Sequence, residues 1–260
     1  IASSWLNAST YLRLFIPQIV PSHCAKAIYL DSDLIVDASL SSIWTQSLDG
    51  AGLLAVRDYW IPFVSFPEGV EEYKHIGLAP NTPYFNAGVI VLNTNFWRNQ
   101  GVTEKAISYL HKYNDMVNHA DQGVLNALLA GQWKELNMKW NVPHFAFTKQ
   151  WRYRVRQWPQ SDLKRDVQKS EDELLRAPNI LHYASSSKPW KPASHYPQQH
   201  LWYRYLWDSG WLSPQARFQS QVQFCSRYYT RATVKALLEG TRPARHRLAA
   251  HSPAFIRRLL

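Results

Sequence analysis

Two carboxylates, Asp31 and Asp33, stand one residue apart in "KAIYLDSDLIV", residues 26–36, with Ser32 between them. Apolar runs flank them, Ile28 to Leu30 before and Leu34 to Val36 after, and both runs read as buried strands. Charge is costly in such a setting unless a partner compensates it. Side chains at i and i+2 of a strand share a face, so a turn at a strand end can aim both carboxylates at one ion. Hard divalent cations such as Mn²⁺ and Mg²⁺ take oxygen ligands and bridge phosphates. A solvated turn without any ligand accounts for the pair as well, because so short a motif recurs by chance.

Three further stretches carry polar residues where chemistry could use them. In "LHYASSSKPW" an apolar pair leads into His182, which could be a third metal ligand, and Lys188 follows a serine turn as a point charge for phosphate. A core histidine and a surface lysine are the plainer alternative. In "FNAGV" the Asn86 amide can bond hydroxyls, and Gly88 lets the backbone approach a ligand closely. In "DQGVLNAL" Asp121 and Gln122 open a helical pattern. Helix capping explains Asp121 but not Gln122.

The elements that must hold these residues alternate along the chain. "STYLRLFIPQIVP" places Leu12, Phe15, Ile16 and Ile19 at helical spacing, with Ser9 or Thr10 as cap and Pro21 as stop. "SSIWTQSL" predicts a short helix capped by Ser41 or Ser42. "GLLAVRD" reads as a buried strand ending in Asp58, and "YFNAGVIVLN" as another. "TEKAISYLHKY" and "ADQGVLNALLAG" predict helices, the second ending near Gly131. The stretch from Phe147 to Arg176 yields no assignment. "ILHYASSSKPWK" predicts a short strand running into a turn. This alternation indicates an α/β sheet flanked by helices.

With 260 residues, 46% of them hydrophobic, one large domain with an appendage is expected. Apolar runs such as "AGVIVLN" are far shorter than a membrane span. The chain opens on Ile1 in what reads as mid-domain sequence, so a fragment or a processed chain is expected. Cys24 and Cys225 have neither metal spacing nor numbers for a disulfide framework, which points to a reducing cytosol. The net charge is +10, and it is concentrated at the end. From Trp211 to Leu260 there are nine basic residues and one acid, Glu239. "YYTRATVKALLEG" and "AFIRRLL" mix apolar and cationic residues in the manner of segments that lie on anionic membrane surfaces. A nucleic-acid role would rest on charge alone, since the tail has no organised motif.

Taken in order, "TYLRLFIP", "AIYLDSDLIV", "YFNAGVIVLN", "DQGVLNAL" and "HYASSSKPW" resemble glycosyltransferase family 8, over roughly Ser9 to Trp190. The closest flavour is the bacterial transferases that build lipopolysaccharide or surface glycans. The resemblance implies a GT-A fold: a mixed sheet of Rossmann-like character with flanking helices. Here its first strand or strands would lie before Ile1, in a catalytic domain spanning 1–210 with a basic helical tail over 211–260. It implies a retaining, metal-dependent transfer of a hexose, glucose or galactose, from a UDP-sugar to a saccharide or lipid-linked glycan. By position, Asp31, Asp33 and His182 would hold Mn²⁺ or Mg²⁺. Ser32 would sit by the ribose and Lys188 on the diphosphate. Arg13 would approach the donor, Asn86 and Ala87 would line its sugar, and Asp58 would contact sugars. Asp121 would hold sugar hydroxyls and Gln122 would lie under the anomeric carbon. Ser185 stands where the family often has glycine, and its hydroxyl would crowd the diphosphate or donate to it. With no evident carboxylate nucleophile, retention points to front-face attack within an ion pair. The expected location is the cytoplasm, on the inner face of a bacterial plasma membrane.

Two other classes fit parts of the pattern. A strand ending in D-x-D also opens haloacid-dehalogenase-type phosphatases, with the first Asp as nucleophile. However, Ile35 stands where that motif wants Thr or Val, and the expected later acidic pair is missing. The 12 Trp and 14 Tyr also suit a carbohydrate-binding fragment without turnover.

Overall fold

The computed structural model describes residues 8–113, 116–159, 164–165, 167, 174–186, 188–191 and 197–228. The chain divides into two compact units, Ile1–Lys188 and Pro189–Leu260. A 3₁₀ segment, Ala8–Phe15, leads into α1 (Ile16–Ile19). Then follow β1 (Lys26–Leu30), β2 (Leu34–Val36), α2 (Ser41–Trp44), β3 (Leu53–Arg57) and β4 (Phe85–Asn93). Next come α3 (Thr94–Gln100), α4 (Val102–Tyr113), α5 (Asp121–Leu128), β5 (Trp133–Glu135) and β6 (Val142–Pro143). The last elements are α6 (Lys149–Gln157), β7 (Ile180–His182), α7 (Gln199–Asp208) and α8 (Pro214–Tyr228).

The strands form two sheets, in the orders β1-β4-β3-β5 and β2-β7-β6. The first is mixed: β4 runs antiparallel to β1 and β3, whereas β5 runs parallel to β3. In the second, β7 is antiparallel to β2 and parallel to β6. The continuous apolar run of β3 follows from burial on both faces. Leu53 and Ala55 belong to a core with helices α3 to α5, while Leu54 and Val56 point into a second core with Val142, Trp151 and Ile180. β1 stands at the end of its sheet, and its residues are only half-buried rather than fully buried as expected.

The first segment also differs from expectation. Its first part, Ala8–Phe15, winds as a 3₁₀ helix and buries Leu14, and α1, which continues it, buries Pro17. The segment leaves Leu12, Phe15 and Ile19 exposed at 60%, 37% and 70%. Ser9 and Thr10 lie within the segment rather than capping it. Arg98 fixes the segment's far end by donating to the carbonyls of Pro17 (2.8 Å), Val20 (3.0 Å), Pro21 and Ser22 (each 3.2 Å) and Cys24 (3.3 Å). Ser41 and Ser42 likewise fall inside α2, and the Ser39 hydroxyl accepts from the Ser41 amide instead. The unassigned region contains α6, whose Thr148 cap accepts from the Trp151 amide at 3.2 Å.

In the second unit, α7 and α8 share an aromatic cluster. Phe224 packs on Tyr203 and Trp207 at centroid distances of 4.7 and 5.6 Å, and Trp207 Nε1 donates to Ser220 Oγ at 3.1 Å. The tail segments expected from 229 onward, including "AFIRRLL" and most of "YYTRATVKALLEG", lie outside the described residues. Among the described residues no helix is long and apolar enough to cross a membrane.

Trp151 is fully buried in the second core and donates from Nε1 to the Tyr59 carbonyl at 2.9 Å. Trp151→Ala is expected to lower unfolding stability by about 3–5 kcal/mol, read from urea melts. A loss below about 1 kcal/mol would contradict this packing.

Candidate active site and metal centre

The site begins with an irregularity in β4. Its pairing with β3 jumps from Ala55↔Ile90 to Val56↔Asn86, so Ala87, Gly88 and Val89 bulge out of that ladder. Backbone groups released in this way need other partners. The Ala87 amide donates to Gln122 Oε1 at 2.9 Å, and the Gly88 amide donates to Asn86 Oδ1 at 2.9 Å. The Ala87 carbonyl accepts from Arg13 at 2.7 Å, and the Gly88 carbonyl accepts from the Asp31 amide at 2.9 Å. The bulge thus gathers the sequence-predicted residues around one strand.

The Asp31–Asp33 turn links β1 to β2 and so joins the two sheets. β2 pairs with β7 in a register that sets Leu34 opposite His182, and the Tyr183 amide donates to the Asp33 carbonyl at 2.9 Å. This pairing brings His182 to the carboxylates. Its Nε2 lies 3.7 Å from Asp31 Oδ2 and 3.3 Å from Asp33 Oδ1. One ligand atom from each residue lies within 4.8 Å of the others. Two carboxylate oxygens and an imidazole nitrogen suit Mn²⁺ or Mg²⁺. Burial works against ionisation of Asp33, but His182 and Lys188 overcome it and hold its carboxyl far below the usual carboxylate range. Gly88 makes this approach possible. A Cβ there would lie 2.4 Å from His182 Cε1 and 2.9 Å from Asp31 Oδ2. The glycine thus makes room for His182 and Asp31 beside the strand.

The cluster lines a cleft of about 500 Å³ together with Asp58, Asn86, Asp121 and Gln122 among others. Arg13 links the cluster to Asp121. It pairs with Asp31 at 2.9 Å and with Asp121 at 2.7 Å, and its guanidinium rests over the Tyr29 ring. Asp121 is almost fully buried at the first turn of α5. Burial drives its carboxyl up to about 7, against the pull of Arg13. Asp58 Oδ1 accepts from the amides of Trp60 (2.7 Å) and Ile61 (2.8 Å). Its Oδ2 accepts from Asn86 (2.9 Å) and Gln122 (3.3 Å).

A model of glycosyl transferase family 8 matches residues 2–193. The chain belongs to glycosyl transferase family 8. Among curated proteins it is 30% identical over 195 residues to a putative glycosyltransferase of Haemophilus influenzae, covering 74% of this chain and 52% of that protein. It is 27% identical over 226 residues to the lipopolysaccharide 1,2-glucosyltransferase of Escherichia coli, covering 86% and 61%. General stress protein A of Bacillus subtilis is 28% identical over 215 residues, covering 81% and 69%. The chain therefore spans between about half and two thirds of these relatives. Among solved structures, the galactosyltransferase LgtC in complex with donor and acceptor sugar analogs superposes with a TM-score of 0.67 at 25% identity, covering 84% of this chain and 73% of that one. This likeness identifies the mixed α/β architecture as GT-A. Family 8 membership also sets aside the phosphatase alternative.

Within this family 8 chain the cleft gathers Arg13, Asp31, Asp33, Asp58, Asn86, Ala87, Asp121, Gln122, His182, Ser185 and Lys188. Ser32 is exposed and is not among the cleft-lining residues. Lys188 pairs with Asp33 and donates to the Tyr183 carbonyl at 2.9 Å. Asp121 occupies the first helical position, not the cap, which is Ala120. Sequence reasoning passed over Asn141, whose Oδ1 meets His182 Nδ1 at 2.9 Å. It also passed over His144 and Trp60 on the cleft wall. Burial lowers His144 to about 4, so that ring stays neutral. Asn141 carried a usable signal: "KWNVP" sets a lone amide in an apolar stretch, and a buried amide needs partners.

Gly88→Ala is expected to displace His182 from the carboxylates. Mn²⁺ affinity, read by electron paramagnetic resonance, should fall at least 10-fold. Unchanged affinity would mean that the imidazole is not a ligand.

Proposed function

We propose that this chain transfers a hexosyl unit, glucose or galactose, from a UDP-sugar to a hydroxyl of a saccharide or lipid-linked glycan, with retention at the anomeric carbon. The observation that carries this reading is the Asp31, Asp33 and His182 cluster in a cleft that Asn86, Asp121 and Gln122 also line. The likeness to the LgtC complex with donor and acceptor sugar analogs and to the lipopolysaccharide glucosyltransferase supports a hexose donor and a glycan acceptor.

In the reaction the bond from the anomeric carbon to the diphosphate oxygen breaks. The acceptor oxygen bonds to that carbon on the same face, and its proton and the nucleoside diphosphate leave. Asp31, Asp33 and His182 would hold a divalent ion, which would supply positive charge against the departing diphosphate. Lys188 is placed to exchange its Asp33 contact for a phosphate oxygen. The Gln122 amide is held by the Ala87 amide and Asp58, which leaves it a fixed dipole beside the anomeric carbon, where preorganisation counts most. Asp121 is held by Arg13 and receives sugar hydroxyls. Ser185 lines the diphosphate end.

The test is turnover of UDP-glucose and UDP-galactose with Mn²⁺ and with Mg²⁺. Chelation and Asp33→Ala should each remove turnover, with the fold of the variant kept by circular dichroism. Metal-independent turnover would overturn the reading.

The basic end of the chain supports a further part of this reading, that the enzyme works at an anionic membrane surface where a lipid-linked acceptor resides. Each Lys or Arg near such a surface contributes about 1 kcal/mol, so several suffice for reversible attachment. The chain should bind phosphatidylglycerol vesicles, with affinity falling as salt rises. Replacing Arg242, Arg245, Arg247, Arg257 and Arg258 with Ser should weaken that binding. Salt-insensitive binding would exclude the electrostatic mode.

A further inference from the structure

We propose that Asn141 is a positioning residue that fixes which ring nitrogen of His182 carries the proton, and that Asp58 sets its orientation through Asn86. Four side chains form a line: Asp58 Oδ2 to Asn86 Nδ2 (2.9 Å), Asn86 Oδ1 to Asn141 Nδ2 (2.8 Å), and Asn141 Oδ1 to His182 Nδ1 (2.9 Å). Asp58, Asn141 and His182 are buried at 5%, 2% and 4% exposure, so water does not substitute freely for these partners.

The direction of every bond follows from groups that have only one role. The Gly88 amide can only donate, and it points at Asn86 Oδ1. The Asp58 carboxylate can only accept, and it faces Asn86 Nδ2. Turning the Asn86 amide over would set two donors against each other at Gly88 and two acceptors at Asp58. Asn86 Oδ1 is therefore an acceptor and must receive its second bond from Asn141 Nδ2. Asn141 then has only its oxygen left for His182, and Nδ1 must supply the proton. Nε2, which faces Asp31 and Asp33, keeps the lone pair that a metal needs. The Ala87 amide fixes Gln122 by the same logic, since Gln122 Oε1 accepts from it and Nε2 turns to Asp58.

Asp58 therefore has a different part from the one its position suggests. Its two oxygens already accept four hydrogen bonds. Its work is to anchor the line, and through that line the sugar end of the cleft sets the orientation of a ligand at the metal end. An acceptor on the remote nitrogen also raises the basicity of a ligating imidazole.

This inference rests on the metal reading of Asp31, Asp33 and His182, and the two can fail separately. In nitrogen-15 spectra of the metal-free wild-type protein, His182 Nδ1 should carry a proton whichever charge the ring bears. A bare Nδ1 with the proton on Nε2 alone overturns the proposal without any metal present. Mn²⁺ titration by electron paramagnetic resonance then tests the role. Asn141→Leu should weaken binding by about 10–100-fold. Asn141→Asp keeps an acceptor against Nδ1 but sets two oxygens against each other at Asn86, so it should lose clearly less affinity than Asn141→Leu without matching the wild type. Equal losses in both variants would make Asn141 a packing residue and overturn the proposal. Absence of Mn²⁺ binding by the wild type would overturn the metal reading instead.

Discussion

The arrangement of the cleft depends on the point where β4 leaves the β3 ladder. A strand that stays in register satisfies its own amides and carbonyls and has nothing to offer a site. Ala87 and Gly88 have no partner in that ladder, and three of their backbone groups take side-chain partners instead. Those partners are Gln122, Asn86 and Arg13, while the Gly88 carbonyl extends the β1 pairing by accepting from the Asp31 amide. Each lone backbone group in such a buried place would cost roughly 1–3 kcal/mol. The bulge therefore recruits the site residues, and they in turn make the bulge tolerable. The same distortion explains why glycine stands at position 88. The strand must come so close to His182 and Asp31 that a methyl group has no room.

Electrostatics sets the second constraint. Asp31, Asp33, Asp58 and Asp121 converge on the inner cleft, where Arg13 and Lys188 are the cations among its described lining residues. The surplus of negative charge is managed unevenly. Asp33 is held ionised by His182 and Lys188 despite its burial, while burial pushes Asp121 the other way and Arg13 offsets only part of the rise. Asp58 spreads its charge over four donors. The geometry leaves Asp31 and Asp33 as the pair whose charge a divalent ion can share, because their oxygens face a common point with His182. A divalent ion at that point would offset most of the surplus negative charge of the cleft.

Much of this was legible in the sequence, for identifiable reasons. β3, β4, α4 and α5 announce themselves through uninterrupted apolar runs or clean helical spacing. The chemistry-bearing residues stand where those elements end. What misled the reading was local winding. The segment before β1 has the apolar residues of one α-helix, yet it winds as a 3₁₀ helix up to Phe15 before turning α-helical, and the positions it buries are Leu14 and Pro17. α6 was overlooked although Thr148 caps it and Trp151, Val155 and Trp158 recur on its buried side. Its many arginines and glutamines hid the pattern. Asn141 was overlooked for a deeper reason. Its significance lies in hydrogen-bond direction, which depends on partners distant in sequence: pairing of β6 with β7 brings His182 beside it, and Asn86 and Asp58 come from the other sheet.

The same observation bears on how family resemblance transfers to individual residues. Position alone assigns Asp58 to the sugar, Lys188 to the diphosphate and Arg13 to the donor. In the structure each is already committed to a protein partner: Asp58 to amides, Lys188 to Asp33 and Arg13 to Asp31 and Asp121. Commitments of this kind differ in what it costs to exchange them. The Lys188 contact is partly exposed, at 22% of the side chain, and a phosphate oxygen can replace a carboxylate oxygen with little penalty. The Asp58 contacts hold two backbone amides and two side-chain amides in a nearly closed space, so breaking one leaves a buried donor without a partner. Ligand entry therefore favours release at Lys188 and conservation of the network at Asp58. The Lys188 side of the cleft can rearrange as a ligand binds, while the Asp58 side is built in advance.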